Sequence, residues 1–252
     1  MKRSLRRNNS GQALIITALI IAMLVISTAY YVLEIDTASS MDQTPLDSTF
    51  LTTKPSIVNT LINSLANISN GGDDQVLNAN LKELTEAIQN SSYGGQLEFL
   101  ITPVNSTPYQ NGLLISWGDN GQGISSACAN VALNFSNPTE TYNSIYEVNI
   151  TTAITAEGSY TANGTQETVN IICQLYNENQ ATLANDFTIY YQEASGNWTP
   201  ADSTTNLNIN NYGNGTYLIT FNAPAQGTIQ ASIGAHDPRN IFVMTNTTCL
   251  KN

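Results

Sequence analysis

Hydrophobic positions along the chain follow three successive patterns. Ala13 to Leu33 (ALIITALIIAMLVISTAYYVL) is an uninterrupted run of 21 uncharged, mostly apolar residues. As a helix rising 1.5 Å per residue it would extend about 30 Å, the thickness of a bilayer's hydrocarbon core. Tyr30 and Tyr31 stand at one end, where interfacial aromatics belong. Residues 37 to 53 are rich in Ser, Thr and Asp and read as a linker. From Ser56 the period becomes helical, with Ile57, Val58, Leu61, Ile62, Leu65 and Ile68 at three- and four-residue steps behind Pro55. Asn70-Gly71-Gly72 is a stop signal. A second helix carries Leu77, Leu81, Leu84 and Ile88 on one stripe, led by Asp73 and Asp74 at its dipole-favoured end and closed by Gly94-Gly95.

After Gly95 the period falls to two, the signature of half-buried strands. Leu97/Phe99/Ile101, Leu113/Ile115/Trp117, Ala129/Val131/Leu133/Phe135 and Tyr146/Val148/Ile150 alternate with polar residues. From about Gln166 six more strands follow, centred on Ile171, Ile189, Ile209, Ile219, Ala231 and Val243. Asn111-Gly112, Asn120-Gly121, Asn163-Gly164, Ser195-Gly196 and Asn214-Gly215 supply turns between them.

The predicted architecture is a single N-terminal transmembrane helix followed by an α+β region, with helices packed on an antiparallel sheet, and then an all-β immunoglobulin-like sandwich. In residue ranges these are a basic leader over 1–12, the membrane helix over 13–33, a linker over 34–53, the helix-plus-sheet region over 54–165 and the sandwich over 166–252.

Charge adds a direction. Four of the eight basic residues (Lys2, Arg3, Arg6, Arg7) precede the apolar run, and all 19 acidic residues follow it. The positive-inside rule then predicts a cell-membrane protein with a cytoplasmic N-terminus and residues 34–252 outside. A secretory signal cleaved near Thr37-Ala38-Ser39 is the alternative, although its apolar core would be unusually long. With 41% hydrophobic and 11% charged residues, the chain has material for a core and is not disordered by charge repulsion. Only Lys54, Lys82, Arg239 and Lys251 lie beyond the run, so a phosphate-neutralising patch is missing and nucleic acid is not an expected partner.

The segment Ser10-Gly11-Gln12-Ala13-Leu14-Ile15-Ile16, behind a basic leader and ahead of a long apolar helix, resembles the archaeal class III (prepilin-like) signals and the Tad-type pilus-assembly proteins. The resemblance covers about the first thirty residues. It implies a prepilin peptidase cutting between Gly11 and Gln12, and a helix retained as anchor or filament core. Two positions differ from the pattern: Ser10, not Lys or Arg, precedes Gly11, and Ile16 stands where the family has Glu. Under the resemblance, residues 54–165 look like a pilin head.

Candidate chemistry is sparse. The single histidine, His236, lies in Gly234-Ala235-His236-Asp237-Pro238-Arg239 and reads as a turn residue held by local hydrogen bonds. No Gly-x-Ser-x-Gly or His-Glu-x-x-His motif accompanies it, and no enzyme, metal or cofactor is predicted. Asp119 to Gly123 reads as a hairpin turn. Of the three cysteines, Cys173 with Cys249 is the first choice for a disulfide outside the cell; Cys128 with Cys249 would instead tie the two β regions together. Sequons for N-glycosylation occur at Asn67, Asn90, Asn105, Asn134, Asn149, Asn163, Asn197, Asn214 and Asn246.

Two functions compete on these grounds. One is a non-catalytic, pilin-like structural, filament or envelope component, bound to the membrane through Ala13–Leu33 and to copies of itself. The other is a surface-displayed binding module whose sandwich recognises a glycan or protein. Trp198, Tyr190, Tyr191, Tyr212 and Tyr217 would be its stacking groups, unless they are ordinary strand packing.

Overall fold

A computed structural model describes residues 45–90, 96–136, 138, 141–225 and 227–252, with side chains from Thr53 onward. The leader, Gly11, Gln12 and the apolar run Ala13–Leu33 lie outside the described residues. Among the described residues, no helix is long and apolar enough to cross a membrane.

Helix α1 (Pro45–Ser69) begins inside the stretch read as a linker and carries Pro55 in its interior. Pro45 takes the helix-starting place expected of Pro55, where a missing N–H costs nothing. Ile57, Leu61 and Leu65 are fully buried on one stripe, each contributing roughly 1.5–3 kcal/mol by leaving water. Helix α2 (Val76–Gln89) buries Leu77, Leu81, Thr85 and Ile88. Asn80 Nδ2 donates to Ser64 Oγ at 2.9 Å, joining the two helices.

The strands are β1 (Gln96–Pro103), β2 (Leu113–Trp117), β3 (Gln122–Ser136), β4 (Thr141–Asn163), β5 (Gln166–Asn177), β6 (Gln180–Ala181), β7 (Asp186–Gln192), β8 (Trp198–Pro200), β9 (Asn208–Asn211), β10 (Thr216–Pro224), β11 (Ile229–His236) and β12 (Phe242–Lys251). Helix α2 lies against β1, and Gln89 Nε2 donates to the Phe99 carbonyl at 2.6 Å. Strand β3 pairs antiparallel with β1, β2 and the first part of β4. Beyond Thr152, β4 pairs with β5.

Two layers close around the main core, β9–β10–β5–β4 and β8–β7–β11–β12. Between them lie Ile154, Val169, Ile171, Cys173, Leu175, Ile189, Ile219, Phe221, Ile229 and Ile233, all buried. The layers join where β12 runs parallel to β4, Leu250 and Lys251 opposite Ser159 and Tyr160. Glycine permits this approach. A Cβ on Gly158 would stand 2.5 Å from Cys249 Sγ, and one on Gly123 would stand 2.0 Å from the Met244 carbonyl oxygen.

The expected architecture is therefore corrected. The described residues form a mostly β protein in which 50–252 is one compact unit, not an α+β region followed by a separate sandwich. The two layers form a β-sandwich, yet no separate sandwich domain stands apart, because its first strand is the second part of β4. That strand is 23 residues long. Its near-continuous alternation gives no sign of where one pairing partner replaces another: the change lies near Thr152, inside the strand, whereas 165/166 is the turn between β4 and β5.

Candidate functional site

The most connected polar cluster lies in the β11–β12 turn, where it meets α1. Asp237 is fully buried. Its Oδ1 accepts from the backbone N–H groups of Arg239 and Ile241, each at 2.9 Å. Its Oδ2 accepts from Thr152 Oγ1 at 2.9 Å and Arg239 Nε at 2.7 Å. Short Asp side chains favour such self-bonded turns. Arg239 continues outward, Nη1 donating to Glu178 Oε1 at 2.7 Å and Nη2 to the Thr151 carbonyl at 3.1 Å. A buried ion pair is tolerable only when its remaining lone pairs and protons are met. Here four donors meet the Asp237 carboxylate.

The same turn grips the end of α1. Ser69 Oγ accepts from the Phe242 N–H at 2.9 Å. Asn70 Nδ2 donates to the carbonyls of Ala66 at 2.8 Å and Asn240 at 3.0 Å. That leaves the Asn70 Oδ1 facing His236 Nε2 at 2.8 Å, while His236 Nδ1 meets Asp186 Oδ1 at 2.6 Å. Both ring nitrogens thus face oxygen acceptors, and the histidine bridges helix, β7 and β11. It sits at the end of β11, not in a free turn. Among the described residues no group of three or more His, Cys, Asp or Glu side chains is placed to hold a metal. What this arrangement can do chemically is hold α1 to the sandwich.

The other predicted residues disperse. Cys128, Cys173 and Cys249 are buried free thiols. Burial pushes the Cys173 thiol up to about 12 and Cys249 up to about 11. Cys128 is pushed up to about 12, first by burial and then by its hydrogen bond to Glu147. Asn67, Asn90, Asn105, Asn134, Asn149, Asn163, Asn197 and Asn214 are exposed. Asn246 is half-buried in β12, and its Nδ2 donates to Asp119 Oδ1 at 2.8 Å. Asp119 therefore belongs to a turn docked on β12. Tyr191 and Tyr217 are core residues, whereas Tyr190, Trp198 and Tyr212 are exposed.

Sequence reasoning noticed His236 and Asp237 but not their partners Asn70, Thr152 and Arg239. Asn70 carried only a helix-stop signal, and contacts across 166 residues leave no local trace. No protein-family model matches this chain, and no curated protein matches it.

Proposed function

We propose that this chain is a non-catalytic cell-surface protein, pilin-like in plan, held at the membrane through Ala13–Leu33 and serving as a structural part of a filament or envelope. One observation carries the reading. The helix that leads back toward the N-terminal segment is fastened to the distal layers by side-chain bonds, and β4 runs unbroken between its two pairing partners. Tension entering through α1 would pass into the sandwich through these bonds. A binding head on a flexible tether needs no such fastening. The basic leader and the acidic remainder support an outward orientation, and export would expose eight sequons for sugar attachment. A prepilin peptidase and copies of the same chain are the partners this reading calls for.

Mass spectrometry of the chain from its native membrane tests the processing step. A mature protein beginning at Gln12 is expected. Electron microscopy of sheared surface material, with antibody against residues 50–252, tests assembly; label absent from every filament and from the envelope would overturn the structural role.

A further inference from the structure

A shallow cleft of about 260 Å³ opens on the outer face of the β8–β7–β11–β12 layer, lined by Tyr190, Trp198, Ser232, Met244 and Asn246. Its floor is a register row, Tyr190 opposite Ser232 on β11 and Ser232 opposite Asn246 on β12. Trp198 and Met244 form the walls. Two features are unusual together. Two large aromatics remain exposed, Trp198 at 41% and Tyr190 at 37%. Between them Ser232 is only 6% exposed, and its hydroxyl makes no hydrogen bond among the described residues. At the far end, Asn246 is held by the bond from its Nδ2 to Asp119 Oδ1 at 2.8 Å, and its Oδ1 is closed off from the cleft.

Polar side chains so little exposed are normally paired within the protein, and the Ser232 hydroxyl is left for a ligand or water. A hydroxyl can both donate and accept. The cleft therefore offers flat aromatic faces beside one free hydroxyl, and no charged side chain lines it. The complementary ligand is neutral, has one apolar face of C–H groups for the electron-rich ring faces, and carries hydroxyls at its edge. The volume lies just below that of sites for drug-sized molecules, which suits one ring.

From this we infer that the cleft is a binding subsite for a single neutral pyranose ring, one residue of a surface glycan. The inference stands independently of the structural role proposed above, since it requires neither the anchor nor assembly. A monosaccharide in so open a site binds weakly, with a dissociation constant on the order of 1 mM.

The test uses the full chain in detergent, made in a host without N-glycosylation so that no sugar on Asn197 lies beside Trp198. Glucose, galactose, mannose and N-acetylglucosamine, with their trisaccharides, are titrated by tryptophan fluorescence and saturation-transfer NMR. Glucuronic acid serves as the charged control. Saturable binding of at least one neutral sugar is expected, abolished in Trp198→Ala and weakened about tenfold in Ser232→Val, where a donor and acceptor are lost. Circular dichroism and melting temperature of Trp198→Ala stay unchanged, because the side chain is exposed. No binding by any neutral sugar, binding that survives Trp198→Ala, or equal binding of glucuronic acid would each overturn the inference.

Discussion

The first part of β4 has one face open to water. Val148 and Ile150 turn inward while Asn143, Ile145, Glu147 and Asn149 are exposed, Ile145 at 77%. The second part lies against the sandwich core, with Ile154, Ala156 and Tyr160 all buried. Between them stands Thr152, fully buried, the residue at which β5 joins the strand. Its hydroxyl donates to Asp237, and it also accepts from Arg239 Nη2 at 3.0 Å. The polar clamp is thus placed where the pairing of β4 changes. Two unlike regions are held in one register by a shared strand, and are fastened at the crossing by charge and hydrogen bonding.

The largest expected effect comes from the apolar side. Phe221→Ala in the sandwich should cost about 3–5 kcal/mol and Leu61→Ala in α1 about 2–5 kcal/mol, since both side chains are buried in full or nearly so. Urea melts followed by far-UV circular dichroism and by tryptophan fluorescence should show each variant lowering one common transition. Two separated transitions would break the account, because they would make the regions independent.

The clamp comes next. Asp237→Ala removes the carboxylate that Arg239 and Thr152 address and leaves a mostly buried guanidinium short of a partner. A loss of about 3 kcal/mol is expected in the same melts. A loss under about 1 kcal/mol, within the range of an exposed ion pair, would make the cluster incidental.

Smaller still are the bonds to the helix. Asn70→Ala and His236→Ala should each cost about 1 kcal/mol. Because they share one hydrogen bond, the double variant should lose less than the sum. Strict additivity would show that the bond from His236 to Asn70 contributes nothing.

These contacts also show what was legible in the sequence. The alternation around Ile171, Ile219 and Ile233 and the Asn-Gly turns placed most strands, because a strand's buried face is written into its own residues. The stripe of Ile57, Leu61 and Leu65 placed the C-terminal part of α1 in the same way. Its start at Pro45 was missed because a proline inside a helix reads as a boundary. The sharing of β4 was hidden because alternation records which face is buried, not which strand lies alongside. The clamp was hidden for a different reason: Asn70 and Thr152 lie 166 and 85 residues from the side chains they meet, and Arg239, though beside Asp237, has an ordinary local explanation. Among the aromatics, Tyr190 and Tyr191 are neighbours on one strand with opposite fates, which period two requires once the buried face is known.

The thiols give the mildest prediction. With Cys173 and Cys128 pushed up to about 12 and Cys249 up to about 11, the folded protein carries neutral thiols at pH 8, and only a thiolate is an effective nucleophile. Iodoacetamide should leave the native chain unlabelled and modify all three once it unfolds. Rapid native labelling of Cys173 or Cys249 would mean that the sandwich opens locally.

Native-state hydrogen exchange tests the union of the two regions most directly. Amides of α1 between Ile57 and Ile68, and amides on both sides of Thr152 in β4, should share one opening free energy that falls in parallel as urea is added. Exchange of α1 and the first part of β4 through a separate, lower-energy opening, with the sandwich still protected, would contradict the account.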